Sequence, residues 1–391
     1  MTDLQHDLQQ HVEVTVAVTP PLDEDALKVI PAKRGLFALL DENARVILVT
    51  TAADMRARLR YRLTAPDDDG PSRTADLRDI TAAVAYRRTF SRFETDWRYL
   101  ELVRDIRPKR WEDLLPKRTA WFIAVDPDAP TPHWTVIAGP PAAGRAFGPF
   151  PERRGAEAYL DALTDAFDLC RCVSVLRQAP SGSACAYKQM GRCIAPCDGT
   201  ASMDAYRAVV ARSIRCVAGD AAEQGARLTE AMRGAAADMA FERAAVLKTR
   251  LDRLAELAGP KVAAVRDVRA FRFVIIQPGP SFHQASTFVC DGGRLAAGPV
   301  VEYPPAVEAM GEVLAAGDGL GDEPDARLAA RRMGLVAWYL FSSRPGDGPV
   351  LVRGDLTPPA LVAAIEASAE DLGLRAPRRR GGGGKAATEC S

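Results

Sequence analysis

The chain reads as a multidomain α+β protein, and three observations lead there. Short apolar runs of strand length, GLFALL, VILVTT, WFIAV, RFVIIQ and ASTFVC, are scattered along it. Between and after them, apolar residues recur every three to four positions, the period of a helix with one buried face. At 391 residues, with 47% hydrophobic and 26% charged, the chain has the size for two or three domains and an ordinary globular composition.

Residues 1–30 are polar and are expected to be a flexible lead-in. In 31–120, two apolar runs flank Asp41-Glu42-Asn43, the pattern of a β-hairpin over 35–51. Asp54 then opens a helix carrying Arg56, Arg58, Arg60 and Arg62. After a Pro/Asp/Gly loop at 66–72 come a strand near 80–88 and a helix over 94–106, ended by Pro108. In 121–200, WFIAV and HWTVIAG form a second hairpin, and the Pro/Gly turn FGPF leads into a helix and then the cysteines. In 201–260, Met203, Tyr206, Val210, Ile214 and Val217 mark one helical stripe, and a helix pair follows at 221–237 and 240–257. An α/β region is expected at 261–375, with Asp291 in a CDGG turn and His283 in a loop, and a disordered basic, Gly-rich tail at 376–391.

Lys+Arg and Asp+Glu both number 51, so no global charge draws the chain to nucleic acid, and any such face must come from local clusters. The acidic first thirty residues exclude a secretory signal, and no run approaches a membrane span. A cytoplasmic protein without membrane association is therefore expected, with its thiols reduced.

Four of the eight cysteines, Cys172, Cys185, Cys193 and Cys197, fall within 26 residues, the last three spaced C-x7-C-x3-C. Thiolates this concentrated suit a soft metal or an iron–sulfur cluster, and Pro196 and Gly199 suit a tight loop around it. Spacing alone leaves iron–sulfur and zinc both open.

The segment around these cysteines resembles the UvrC family, the C subunit of the bacterial excision-repair nuclease. The family pattern, F-x-L-R-x-C and then C-x-Y-x-x-G-R-C-x-A-P-C-x-G, is met by Phe167, Leu169, Cys172, Cys185, Tyr187, Gly191, Arg192, Cys193, Ala195, Pro196, Cys197 and Gly199. Cys170 stands where the family commonly has arginine. Phe147-Gly148-Pro149-Phe150 is similar to the family's Y-F-G-P-Y turn. Downstream, residues 232–254 resemble the UVR motif, a helical hairpin that engages UvrB. Phe241, Glu242, Ala244, Ala245 and Leu247 fall on its core and are the expected partner contacts. Ala244, Leu247, Leu251 and Leu254 form an apolar stripe that needs a partner surface.

The resemblance implies that the amino-terminal part is a GIY-YIG nuclease-like domain, and a degenerate one. Gly35-Leu36-Phe37 and Leu48-Val49-Thr50 take the two motifs, so Phe37 and Leu48 lack the hydroxyls of the tyrosines that activate water there. Arg58 keeps the arginine position. Counting back from Arg107-Pro108-Lys109 puts Tyr99 where the metal-binding glutamate belongs; Glu101 serves only after a two-residue shift. Each lost transition-state contact costs about a hundred-fold or more, so the expectation is an inactive site, with Mg²⁺ or Mn²⁺ needed only if the nuclease works.

DNA contacts are expected at Arg107, Lys109 and Arg110, interleaved with Trp97, Trp111 and Trp121, and at Arg192 beside the cysteines, with Arg153-Arg154 a further basic pair. The resemblance implies a repair protein that binds DNA and UvrB, carries an iron–sulfur cluster and lacks the family's ribonuclease-H-like half. The alternatives are an active single-incision excinuclease and a zinc-binding adaptor without nuclease activity.

Overall fold

Three four-stranded sheets organise the described residues, and every pairing in them is antiparallel. The structure, a computed structural model, describes residues 3–64, 76–141, 143–259, 262–342 and 344–376. The expected loop at 66–72 and nearly all of the basic tail lie outside them.

The expectation of a flexible lead-in is corrected. Residues 3–30 supply α1 (Asp3–His11), β1 (Val14–Ala17) and α2 (Glu24–Lys28), and Leu8, Leu22, Leu27 and Ile30 are buried. Then come β2 (Gly35–Leu40), β3 (Val46–Ala52), α3 (Met55–Leu63), β4 (Ala83–Arg88) and α4 (Arg92–Ile106). The first sheet runs β1-β4-β2-β3. Asp54 caps α3 by accepting the Ala57 N–H at 2.9 Å, and Ser91 caps α4 by accepting the Glu94 N–H at 3.0 Å. Successive strand residues face opposite ways. Phe37 and Leu39 meet Met55, Leu59 and Leu63 of α3, while Leu36 and Ala38 meet Leu102 and Ile106 of α4. Gly35 is required by packing, since a Cβ there would lie 2.3 Å from the Arg87 carbonyl oxygen.

The second sheet joins β5 (Trp121–Val125), β6 (Thr135–Ala138), β7 (Arg145–Phe150) and β8 (Arg266–Asp267) in the order β6-β5-β7-β8. FGPF, expected as a turn, is thus the end of a buried strand. One face of this sheet, with Ile123, Val125 and Phe147, is covered by α5 (Arg153–Phe167), α8 (Met203–Val217), α9 (Ala222–Ala237) and α10 (Phe241–Glu256). Between α5 and α8 lie the short helices α6 (Val173–Leu176) and α7 (Ala186–Gln189).

The third sheet, β11-β10-β9-β12, uses β9 (Arg272–Pro278), β10 (Gln284–Asp291), β11 (Arg294–Glu302) and β12 (Val350–Val352). Gly292 and Gly293, both at positive φ, make the β10–β11 turn. Val274, Ile276 and Val289 pack on α11 (Val307–Ala315) and α13 (Pro358–Ala367). The other face shares one core with Phe122 of the second sheet, Phe93 and Trp97 of α4, and α12 (Ala326–Leu340). The amino-terminal, middle and carboxy-terminal regions are therefore joined through a common core that includes Phe93 and Trp97 of α4.

Candidate metal centre and docking surfaces

The remnant nuclease positions do not converge. Phe37 is fully buried under α3, and Leu48 packs against the same cluster. Glu101 belongs to α4, on the other side of the sheet. Both of its carboxylate oxygens are taken: Arg332 of α12 donates to them at 2.8 and 2.7 Å, and Trp97 Nε1 donates at 3.0 Å. Arg332 also reaches Glu323 at 2.7 Å, so one buried guanidinium ties α4 to α12 and the loop that precedes it. This corrects the reading of Glu101 as a metal-ligand candidate: its charge is spent inside the protein. Tyr99, at the family's glutamate position, is half-buried with its hydroxyl pKa raised by burial. Arg58 faces solvent and has no ion pair among the described residues.

The cysteines lie on one folded loop. Asp168 ends α5 in a left-handed turn, and the Tyr206 hydroxyl accepts the Cys170 N–H at 3.2 Å. Cys172 precedes α6 and Cys185 precedes α7. The Gly182 N–H donates to the Cys197 carbonyl at 2.8 Å, where a Cβ on Gly182 would come within 3.0 Å of that oxygen. Lys188 pins the far side by pairing with Asp198 at 2.5 Å. The thiols interact in two pairs. The Cys170 thiol reaches both the Cys172 carbonyl, at 3.6 Å, and the Cys193 thiol, and Cys172 and Cys185 perturb one another. The Cys170 hydrogen bond, helped by the Ala195 N–H at 3.4 Å, lowers the Cys193 thiol to about 7 and pushes Cys170 well up. Burial raises Cys172 and Cys197. Among the described residues, no three His, Cys, Asp or Glu side chains stand already gathered as a metal site. The donor chemistry fits a thiophilic metal.

The α9–α10 hairpin is present, but its apolar stripe is inward. Leu247 is 7% exposed and packs, with Ala244, Leu251 and Leu254, in the core that holds α5. That corrects the expectation that Ala244 and Leu247 are open to a partner: the stripe finds its surface within this chain. Phe241, Glu242 and Ala245 face outward, Phe241 at 62% exposure. Arg250 of α10 joins the hairpin to the cysteine loop. It pairs with Asp168 at 2.6 Å and donates to the Gly191 carbonyl at 2.8 Å.

The basic residues Lys109, Arg110 and Arg192 are exposed, as is Arg107, which donates to the Val46 carbonyl at 3.0 Å. The tryptophans among them do not form a stacking surface. Trp97 and Trp111 are buried and Trp121 is half-buried, their rings packed into the hydrophobic clusters. No described helix is long and apolar enough to cross a membrane.

Residues 120–216 match the family model described as the UvrC/Cho excinuclease middle domain, the stretch from β5 through α8 that contains the cysteine loop. Three relatives, each described as UvrABC system protein C, align over wider ranges. The Acidothermus cellulolyticus protein is 32% identical, covering 59% of this chain and 36% of its own length. A Psychrobacter protein is 27% identical over 59% and 38%, and the Desulforudis audaxviator protein 27% over 69% and 41%. The chain thus spans about two fifths of these relatives. No solved structure matches it significantly. With the cysteine segment inside the matched domain and relatives aligned over 59–69% of the chain, this protein is similar to the UvrC family, most specifically in its middle domain.

Proposed function

We propose that this chain is a DNA-repair protein that binds DNA and UvrB and whose nuclease-like domain does not cut. The observation that carries the reading is the Glu101–Arg332 pair. Oε1 of this carboxylate accepts from both the Arg332 guanidinium and an indole N–H and Oε2 accepts from Arg332, so binding a divalent metal would have to compete with a buried ion pair. Phe37 and Leu48 offer carbon where water activation needs a hydroxyl. Arg58, exposed on α3, then serves as a phosphate contact, together with Arg107, Lys109, Arg110 and Arg192.

The hairpin is the proposed UvrB contact, through its outward Phe241, Glu242 and Ala245. An exposed phenylalanine beside a carboxylate is the apolar anchor and polar rim of a small interface. Cys172, Cys185, Cys193 and Cys197 would hold an iron–sulfur cluster, which would supply a thiolate-bound brace for the loop. The protein's own part is to fold the loop through Gly182, Lys188–Asp198 and Arg250, and to keep Cys193 ready as thiolate.

The test combines metal analysis, DNA binding and UvrB capture on the full chain purified without oxygen. Iron and sulfide in wild type, both lost in Cys193→Ser, with UvrB and DNA retained by wild type, supports the reading. Zinc without iron, together with no affinity for DNA or UvrB, would replace it with the adaptor.

A further inference from the structure

We infer that the cleft between α12 and the start of α5 binds an unpaired DNA base. This rests on the DNA-binding reading above and locates it in a cleft next to the basic pair Arg153-Arg154. The cleft, of about 320 Å³, is lined by Thr119, Pro151, Glu152, Trp338, Phe341 and Arg344. Its floor is Gly334, where α12 presses on the chain so closely that a Cβ would lie 2.3 Å from the Arg118 carbonyl oxygen. The recess is thus built by backbone contact.

Trp338, 43% exposed, and Phe341 present large rings at its mouth, on a helix whose other aromatic, Tyr339, is buried. Two guanidinium groups, of Arg118 and Arg344, stand 5.5 and 5.6 Å from the centre of the Trp338 ring. Arg118 is neutralised by Asp96 at 2.8 Å, whereas Arg344 has no carboxylate partner among the described residues. Arg153 and Arg154 follow Glu152 at the start of α5, and Arg154 is likewise unpaired there. An exposed ring with the unpaired guanidinium of Arg344 beside it matches a base held by stacking with its phosphate outside. Glu152, also lining the cleft, offers an acceptor for an N–H on the edge of the base, such as N3–H of thymine. A recess of this size admits a splayed base and excludes a double helix, so the occupant is single-stranded or unpaired DNA. An apolar peptide would leave the cations without partners.

The experiment measures affinity of the full chain for a fluorescent oligothymidylate and, separately, for a duplex of mixed sequence. Trp338→Ala and Arg344→Glu should each weaken oligothymidylate binding about tenfold or more, as loss of one stacked base does, with Trp338→Phe close to wild type and duplex affinity little changed. Thermal melts check folding; if Trp338→Ala melts without cooperativity, Arg344→Glu, at an exposed loop position, decides. Wild-type affinity for oligothymidylate in the variants, beside normal duplex binding, overturns the cleft and leaves the DNA reading standing. No binding of either DNA by wild type overturns both.

Discussion

The first sheet around Phe37 and the loop around Cys193 differ in what the fold does with positions where chemistry is expected. Around Phe37 the space is closed by carbon: Leu39, Met55, Leu59 and Val84 surround a fully buried ring. Around Cys193 the space stays polar. Thiols hydrogen-bond one another, and Arg250, Lys188 and Asp198 hold the loop from outside. Glu101 follows the first pattern, its charge consumed by a structural ion pair. A residue type that suits chemistry keeps that capacity only where packing leaves its polar atoms unspent. By that measure Phe37 and Glu101 are spent on packing, while the cysteine loop retains its donors.

The sharpest way to break this comparison is Glu101→Ala. It leaves Arg332 with Glu323 as its one remaining carboxylate partner and the Trp97 N–H without its acceptor, and should destabilise the protein by about 3 kcal/mol, the low end for a broken buried pair, read in a denaturant melt. A melt unchanged within error, together with lost metal-dependent cutting, would return Glu101 to the role of metal ligand. Next, Leu247→Ala removes a buried side chain from the core under α10 and should cost about 2–4 kcal/mol. Phe241→Asp, at an exposed site on the same helix, should shift stability by no more than about 0.5 kcal/mol yet abolish UvrB capture. Equal capture by Phe241→Asp would remove the hairpin from the interface.

The smallest effect concerns pH in metal-free protein. Cys193 titrates at about 7 instead of 9.0 because Cys170 donates to it. Between pH 7 and 9 the unfolded chain holds a proton that folded Cys193 has released, so this term stabilises increasingly as pH rises and is lost below about 7. Cys170, raised by the same bond, opposes it only above about pH 9. Cys170→Ala should move the half-point of Cys193 alkylation by iodoacetamide up toward 9.0. An unmoved half-point would mean that Cys170 does not set Cys193.

Most of the elements are legible in the sequence because their signals are local. The caps at Asp54 and Ser91, the run WFIAV and the rhythm from Met203 to Val217 each specify a helix or strand within a few residues. The lead-in is not legible because its buried residues, Leu8 and Leu27 among them, are spread through polar sequence and gain their burial from distant partners. The β7 strand is hidden by its glycine and proline, which read as a turn. Contacts remote in sequence escape local reading altogether: nothing near Glu101 announces Arg332, and the stripe on α10 does not say whether its partner is α5 or another protein. The same ambiguity misplaces the aromatics. Trp97 and Trp111 sit beside arginines yet point inward, whereas Trp338, within the apolar run GLVAWYLF, lies on the open face of α12. Its helical spacing from Arg331 was the one available signal.

The central claim is that the nuclease-like domain binds without cutting. The most direct measurement is incision of an end-labelled, lesion-containing duplex by the full chain with Mg²⁺ or Mn²⁺, with and without UvrA and UvrB. The account predicts uncut duplex alongside retained binding. A discrete cut that disappears in Arg58→Ala would contradict it.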